Sequence, residues 1–334
     1  MAVLVTGGAG YIGSHIVLSL LEKGEDVVII DNLSRGHKKA VKGGILYVGD
    51  LADKTFIRKV FAENDIESVM HLAAYSQVEE SSEQPIKYYI NNVKTTINLL
   101  EAMKDYGVKS LVFSSTAAVY GQTNEVPIRE TAVTNPVNPY GESKLVVERM
   151  LKWASVSNDI NYISLRYFNA AGAHDSGQIG EDHEVESHLI PIILMAAMGQ
   201  REKVVIYGED YDTEDGTCIR DYVHVMDLSK AHILALNRLR NTGKSGIYNL
   251  GSGKGYSVKQ IVKTVERVTG INVPVESGGR RAGDAAVLIA SSEKAKKELN
   301  WQPEHESIER IIRDAWRWHS NNAKGYNDKY IYLI

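Results

Sequence analysis

Tyr140 and Lys144 stand four residues apart in Tyr140-Gly141-Glu142-Ser143-Lys144, directly after Asn138-Pro139. On a helix that spacing puts the phenol and the ammonium on one face. A phenol titrates near about 10 and works as a base near neutrality only where a positive neighbour stabilises the phenolate. Lys144 is such a neighbour, and the hydroxyl of Thr116 supplies a third member of a proton-transfer set. Taken alone, Tyr-x-x-x-Lys is an ordinary surface pair, so its meaning depends on the elements that carry it.

Those elements begin at the start of the chain. Val3-Leu4-Val5-Thr6 is an apolar, β-branched run that breaks into Gly7-Gly8-Ala9-Gly10-Tyr11-Ile12-Gly13 and resumes with helical spacing to Leu21, with Gly24 as a stop. Gly8, Gly10 and Gly13 fit G-x-G-x-x-G, and Gly7, Gly10 and Gly13 fit G-x-x-G-x-x-G. Both are spacings that let backbone N–H groups approach a pyrophosphate at the positive end of a helix. A second strand, Val27-Val28-Ile29-Ile30, ends on Asp31, where a carboxylate takes the ribose hydroxyls of a dinucleotide. The loop Asn32-Leu33-Ser34-Arg35-Gly36 would wrap the adenosine end. Asp31 repels a 2′-phosphate, so NAD is expected rather than NADP.

The alternation continues through Leu46-Tyr47-Val48, a helix near Asp53–Glu63, Ser68–Leu72, a helix from about Asn91 to Tyr106, Leu111–Thr116, a helix from about Gly141 to Ala154 and a strand over Tyr162–Tyr167. This predicts an α/β protein with a Rossmann-like, doubly wound parallel sheet whose ligands lie off the carboxyl ends of the strands. The polar residues fall at those ends: Thr6, Asp31, Asp50, the Ala73-Ala74 pair, Ser114-Ser115-Thr116 and Phe168-Asn169. Tyr140 and Lys144 then follow the fifth strand and Thr116 ends it, which turns a commonplace pair into a candidate catalytic set.

The chain resembles the extended short-chain dehydrogenase/reductase family, and within it the UDP-galactose 4-epimerases (UDP-glucose 4-epimerases). The motifs that carry the resemblance are Thr6–Gly13, Asp31-Asn32-Leu33, Phe113–Thr116 with Val119-Tyr120-Gly121, Asn138–Lys144, Leu165–Asn169 and Asp215–Val225. The resemblance implies a tightly held NAD that is reduced and reoxidised within each turnover, inverting carbon 4 of a UDP-sugar through a 4-keto intermediate. It gives Tyr140 the proton transfer, Thr116 the sugar 4-oxygen, and Lys144 the nicotinamide ribose and a lowered Tyr140 pKa. Cofactor positions are Gly7, Gly10, Tyr11, Ile12, Gly13, Asp31, Asn32, Ser34, Asp50, Leu51, Leu72, Ala73, Ala74, Ser76, Asn91, Ser114 and Phe168. Some relatives carry lysine at Ser76 and many carry serine at Thr116. UDP-sugar positions are Asn169, His188, Leu189, Val205, Ile206, Tyr207, Arg220, Arg281 and Asp284, with Leu288 beside the sugar's 2-substituent; the two arginines suit a diphosphate by charge and forked geometry. It also implies a homodimer joined through the helices at roughly 91–106 and 141–154. The resemblance further implies an NAD-binding domain over about 1–168 and mainly a smaller mixed α/β substrate domain over 169–334, with 220–250 returning to the first. Other readings on this fold are an epimerase for an N-acetylhexosamine or pentose, a dehydratase or decarboxylase, and a non-catalytic NAD sensor. The second needs an acid after the strand-end hydroxyl, where this chain has Ala117-Ala118.

Composition narrows the field further. A formal charge of −4 over 334 residues supplies no basic field for nucleic acid. The single cysteine, Cys218, leaves no internal disulfide, no leader precedes the first strand, and no apolar run is long enough for a membrane span, all of which point to the cytosol. No metal site is expected: His15 and His71 have no metal-spaced partner. Gly251-Ser252-Gly253-Lys254-Gly255 looks like a phosphate loop but lacks the Walker spacing, and leads into a helix capped by Ser257 with Gln260 closing a capping box.

Overall fold

Seven parallel strands stack in the order β10-β6-β5-β4-β1-β2-β3 in the computed structural model, which describes residues 1–123, 125–157, 159–281 and 283–327. The strands are β1 (Ala2–Thr6), β2 (Asp26–Asp31), β3 (Ile45–Val48), β4 (Ile66–His71), β5 (Ser110–Thr116) and β6 (Asn161–Tyr167), followed by β7 (Asn169–Ala171), β8 (Val204–Tyr207), β9 (Ile219–His224) and β10 (Gly246–Leu250). β11 (Gly255–Ser257), β12 (Val275–Gly278) and β13 (Val287–Leu288) complete the set among the described residues. The inner strands are apolar on both faces because helices cover both. Val3 and Val5 face one side, against Ile16, Leu20, Leu228 and Leu236 of the helices Tyr11–Glu22 and Val225–Thr242. Leu4 faces the other, against Ile57, Leu99 and Val147 of the helices Lys54–Glu63, Thr95–Asp105 and Pro139–Val156.

The strand order reverses between β1 and β4, which opens a crevice off their carboxyl ends. β5 ends beside β4 on one hand and β6 on the other, with Thr116 opposite Tyr167. Whatever lies at the end of β5 therefore sits between the crevice and the chain that leaves β6.

That outgoing chain builds a second assembly. β7, β11 and β13 all pair with β9, β8 pairs with β12, and a third core joins Ile190, Ile193, Ile261, Val265, Ile308 and Ile312 of the helices Leu189–Ala197, Val258–Thr269 and Ile308–Asn321. Of the segment expected to return to the first domain, β9 stays in this second assembly, whereas the helix Val225–Thr242 and β10 pack on and join the large sheet. The end of the second segment, residues 328–334, lies outside the described residues.

Two local structures explain sequence features. The Ser257 hydroxyl accepts the Gln260 amide at 3.1 Å while Gln260 Oε1 accepts the Ser257 amide at 2.9 Å, the expected capping box. The glycine loop before it binds an internal anion: Asp221 accepts from the amides of Ser252 (2.8 Å), Gly253 (3.0 Å) and Ala290 (3.1 Å). Its loop-like look reflects that carboxylate.

Candidate active site

The first cleft, about 620 Å³, lies off β1, β2 and β4. Gly7 takes φ +73°, and a Cβ there would sit 2.6 Å from the Ala73 amide nitrogen; at Gly13 it would sit 2.1 Å from the Gly7 carbonyl oxygen. Neither position has room for a side chain, so loop and β4 end close together. The helix Tyr11–Glu22 starts at Gly10 with no side-chain cap, leaving its first N–H groups for a ligand. Asp31, buried at the end of β2, accepts the amides of Ala9 (3.0 Å) and Leu33 (2.8 Å), and burial raises its pKa against those bonds. Asn32 donates to Asp50 at 2.9 Å and accepts from Ser34, fixing the far wall.

Among the expected cofactor residues, Gly7, Gly10, Asp31, Asn32, Ser34, Asp50, Leu51, Leu72, Ala73, Ala74 and Asn91 line this cleft. Others lie nearby in different roles. Tyr11 donates its hydroxyl to the Gly172 carbonyl at 2.7 Å, and Ile12 packs on the core. Ser114 bonds the Tyr167 hydroxyl, Phe168 is buried, and Ser76 is exposed. Asn91 sits in a π-helical turn, Tyr89–Lys94, where sequence spacing predicts plain helix. The wide turn lets Asn92 clamp both backbone groups of Tyr75, at 2.9 and 3.0 Å, and donate to Ser143 of the Tyr140 helix.

Tyr140 enters at the start of the helix Pro139–Val156, whose N-cap Asn138 accepts the Gly141 amide at 2.8 Å. Burial raises the Tyr140 pKa, and the Thr116 hydroxyl pulls it the other way. Lys144 is no surface residue. It is buried, its ammonium donates to the Ser114 carbonyl at 2.8 Å and lies 4.9 Å from the Phe113 ring centre, and burial pushes its pKa down to about 7 with Glu148 opposing. The lysine is thus anchored on β5, and in the chain alone Thr116 is what lowers the phenol's pKa.

The second cleft, about 1060 Å³, opens where the chain leaves β6. Asn169, His188, Leu189, Val205, Tyr207, Arg220, Arg281 and Asp284 line it as expected, joined by Cys218 and Tyr222 of the Asp215–Val225 motif, which were given no substrate role, and by Arg201, which lies outside every motif. Arg220 is braced by the Ala285 carbonyl at 2.8 Å and lies 3.4 Å from Asp284, not paired with Asp221; Arg281 stacks 4.0 Å from the Tyr207 ring centre. Ile206 turns into the core, a strand alternation that leaves only its backbone for a ligand. Leu288, half-buried on β13, packs against the cluster of Val119, Tyr120, Leu145 and Phe168 and is not part of the wall.

Residues 3–251 match the NAD dependent epimerase/dehydratase family. The chain belongs to this family. The UDP-glucose 4-epimerase of Halalkalibacterium halodurans is 54% identical over 98% of both chains. A crystal structure of a UDP-glucose 4-epimerase superposes with a TM-score of 0.96 at 51% identity, over 98% of this chain and 99% of that one. The Bifidobacterium longum UDP-glucose 4-epimerase, solved in complex with NAD+ and UDP, superposes with a TM-score of 0.92 at 41% identity, over 98% of this chain and all of that one.

The first cleft fits the family's cofactor, NAD. It offers glycines with no room for a side chain, an uncapped helix start and a strand-end carboxylate. Arg35, which alone would suggest a 2′-phosphate, lies 3.4 Å from Glu80 and over the Tyr75 ring. One feature escaped the sequence reading: Glu181, His183, Glu186 and His188, on the loop before the helix Leu189–Ala197, bring their donor atoms within 4.8 Å of one another.

Proposed function

We propose that the chain interconverts UDP-glucose and UDP-galactose by inverting carbon 4 through a 4-keto intermediate. The observation that carries this reading is the placement of Thr116, Tyr140 and Lys144 at the end of β5, between a dinucleotide cleft and a cleft bearing two arginines. When bound, NAD supplies a hydride acceptor and, later in the same turnover, a hydride donor. Tyr140 takes the proton of the sugar 4-hydroxyl and returns it, while Thr116 holds that oxygen. Lys144 binds the nicotinamide ribose, and the Thr116 hydroxyl together with the positive nicotinamide favours loss of the Tyr140 proton, which burial would otherwise hold. Arg220 and Arg281 grip the diphosphate, so that the keto sugar turns over on a fixed anchor and presents its other face. Arg220 is pre-oriented for this by Asp284 and the Ala285 carbonyl. Ala117-Ala118, where a dehydratase would need an acid, leave no second proton donor at that point of the chain.

The enzyme works in the cytosol as a homodimer in this reading, supported by its lone, buried cysteine and by apolar residues exposed on the helices that would meet. The test is conversion of UDP-galactose to UDP-glucose by the purified chain with no NAD added, followed by nuclear magnetic resonance of the sugar. Wild type should reach the same mixture from either sugar. Tyr140→Phe should keep its fold and lose roughly 10²–10⁴-fold in kcat. Absence of product from wild type, or near-normal turnover by Tyr140→Phe, overturns the assignment.

A further inference from the structure

The loop 180–188 runs from the second assembly to the helix Leu189–Ala197 and carries the pattern Glu181-x-His183-x-x-Glu186-x-His188. His188 Nδ1 lies 2.8 Å from Glu181 Oε1 and 2.9 Å from Glu186 Oε1. His183 Nδ1 lies 3.3 Å from Glu181 Oε1 and 3.2 Å from Glu186 Oε2. Both rings turn the same nitrogen inward, and both carboxylates face the same point.

Aligned hydrogen bonds account for the Glu186 half of this convergence and not for the Glu181 half. The two Nδ1 atoms align with Glu186, whose Oε1 also accepts the amides of Ser187 (2.8 Å) and His188 (2.7 Å). Glu181, with its side chain only 4% exposed, has Oε1 at 2.8 and 3.3 Å from the two Nδ1 atoms but out of line for a good hydrogen bond to either. A buried carboxylate oxygen without an aligned donor is costly, and a cation at the shared point removes that cost. The spacing suits one: with metal–ligand bonds of about 2.0–2.2 Å, neighbouring atoms of a tetrahedral shell lie about 3.3 Å apart. Two imidazoles with two carboxylates and no thiolate match a divalent first-row transition metal, with zinc the natural tetrahedral occupant.

We propose that Glu181, His183, Glu186 and His188 form a divalent transition-metal site that fixes this loop between the two clefts. Four protein ligands close the shell, so the site is structural. Its place gives it leverage on both clefts. Tyr11, at the start of the dinucleotide helix, meets His183 edge-on with ring centres 6.4 Å apart, and His188 lines the second cleft at the start of the helix Leu189–Ala197. Coordination through Nδ1 leaves the other nitrogen of His188 for that cleft.

The test uses the full chain, stripped with a chelator and dialysed against Zn2+ at about micromolar concentration, with bound metal counted by mass spectrometry. Wild type and His174→Gln, a histidine outside the cluster, should each hold one equivalent per chain and gain melting temperature with Zn2+. His183→Gln/His188→Gln should hold almost none and gain nothing. Co2+ gives a reading that needs no variant: wild type should develop the strong visible band of a tetrahedral site, removed by chelator with a fall in melting temperature. If wild type binds no more Zn2+ than the double variant, the four residues are ion pairs alone and the proposal fails. Should the double variant not fold, the absence of a Co2+ band in wild type has the same force.

Discussion

Lys144 is where burial and function pull in opposite directions. Its ammonium is held on the Ser114 carbonyl with a pKa pushed down to about 7, against about 10.4 in an unfolded chain. The folded value is the lower one, so the cost of burying the charge is full below about pH 7 and is relieved as pH rises towards about 10.4. Lys144→Met should therefore lose activity yet raise the melting temperature of the NAD-stripped chain by a few degrees at pH 7, with the gain shrinking towards pH 10. A gain independent of pH would mean that packing, not charge, sets the difference. Leu288 is a second such position. It lies outside the wall of the second cleft, but it packs beside Phe168, Val119 and Ala117 next to the Thr116 turn where the proposed mechanism holds the sugar, and it offers no hydroxyl or thiol to an acetamido group there. Crowding and an unmet amide each cost about 1–3 kcal/mol, so UDP-glucose and UDP-galactose should be clearly preferred over their N-acetylated counterparts. Leu288→Ser should narrow that gap in kcat/KM; equal efficiency in wild type, or no change on substitution, sinks the idea.

At the scale of elements, the strands, the loop and the capping box were legible because each is specified locally: apolar β-branched runs, glycines with no room for a side chain, Ser257 with Gln260. What was not legible depends on contacts distant in sequence. The π-helical turn at Tyr89–Lys94 arises where Asn92 reaches Tyr75 and Ser143, and the Asp221 knot draws on amides about 30 and about 70 residues away. The inward turn of Ile206 and the lining of the second cleft by Arg201 and Tyr222 likewise follow from how β8 and β9 sit against the helix Leu189–Ala197. One junction joins the two scales. A Cβ at Gly141 would lie 2.6 Å from the Ala118 carbonyl oxygen, so this glycine sets how closely the Tyr140 helix approaches the Thr116 turn. Gly141→Ala should push the two apart and cut kcat by about tenfold or more, because positioned proton transfer is sensitive to displacements of this size. Circular dichroism and retained NAD should show the fold intact; unchanged kcat would remove the junction from the argument.

On the scale of the whole molecule, one group of exposed apolar side chains lies on two neighbouring elements. Ile86 (67% exposed), Ile90 and Ile97 (41%) lie along the turn and helix that follow Gln84, while Trp153 (70%) and Val156 lie at the end of the Tyr140 helix. The two elements pack side by side, since Asn92 bonds Ser143. In the homodimer proposed above, a twofold pairing of this flank with itself would bury these side chains without any further partner. Wild type should then run at twice the mass of the 37.0 kDa chain by light scattering, and Ile97→Glu/Trp153→Glu should run at the mass of one. The coupling to function follows from the π-helical turn. It presents Ile90 outward and Asn91 to the first cleft, so a partner that covers Ile90 also steadies a wall of the dinucleotide site. The double variant should accordingly release NAD more readily during purification than wild type, measured as cofactor per chain after gel filtration. A wild type that runs as a single chain, or a monomeric variant that keeps its full cofactor, would separate this flank from the site behind it.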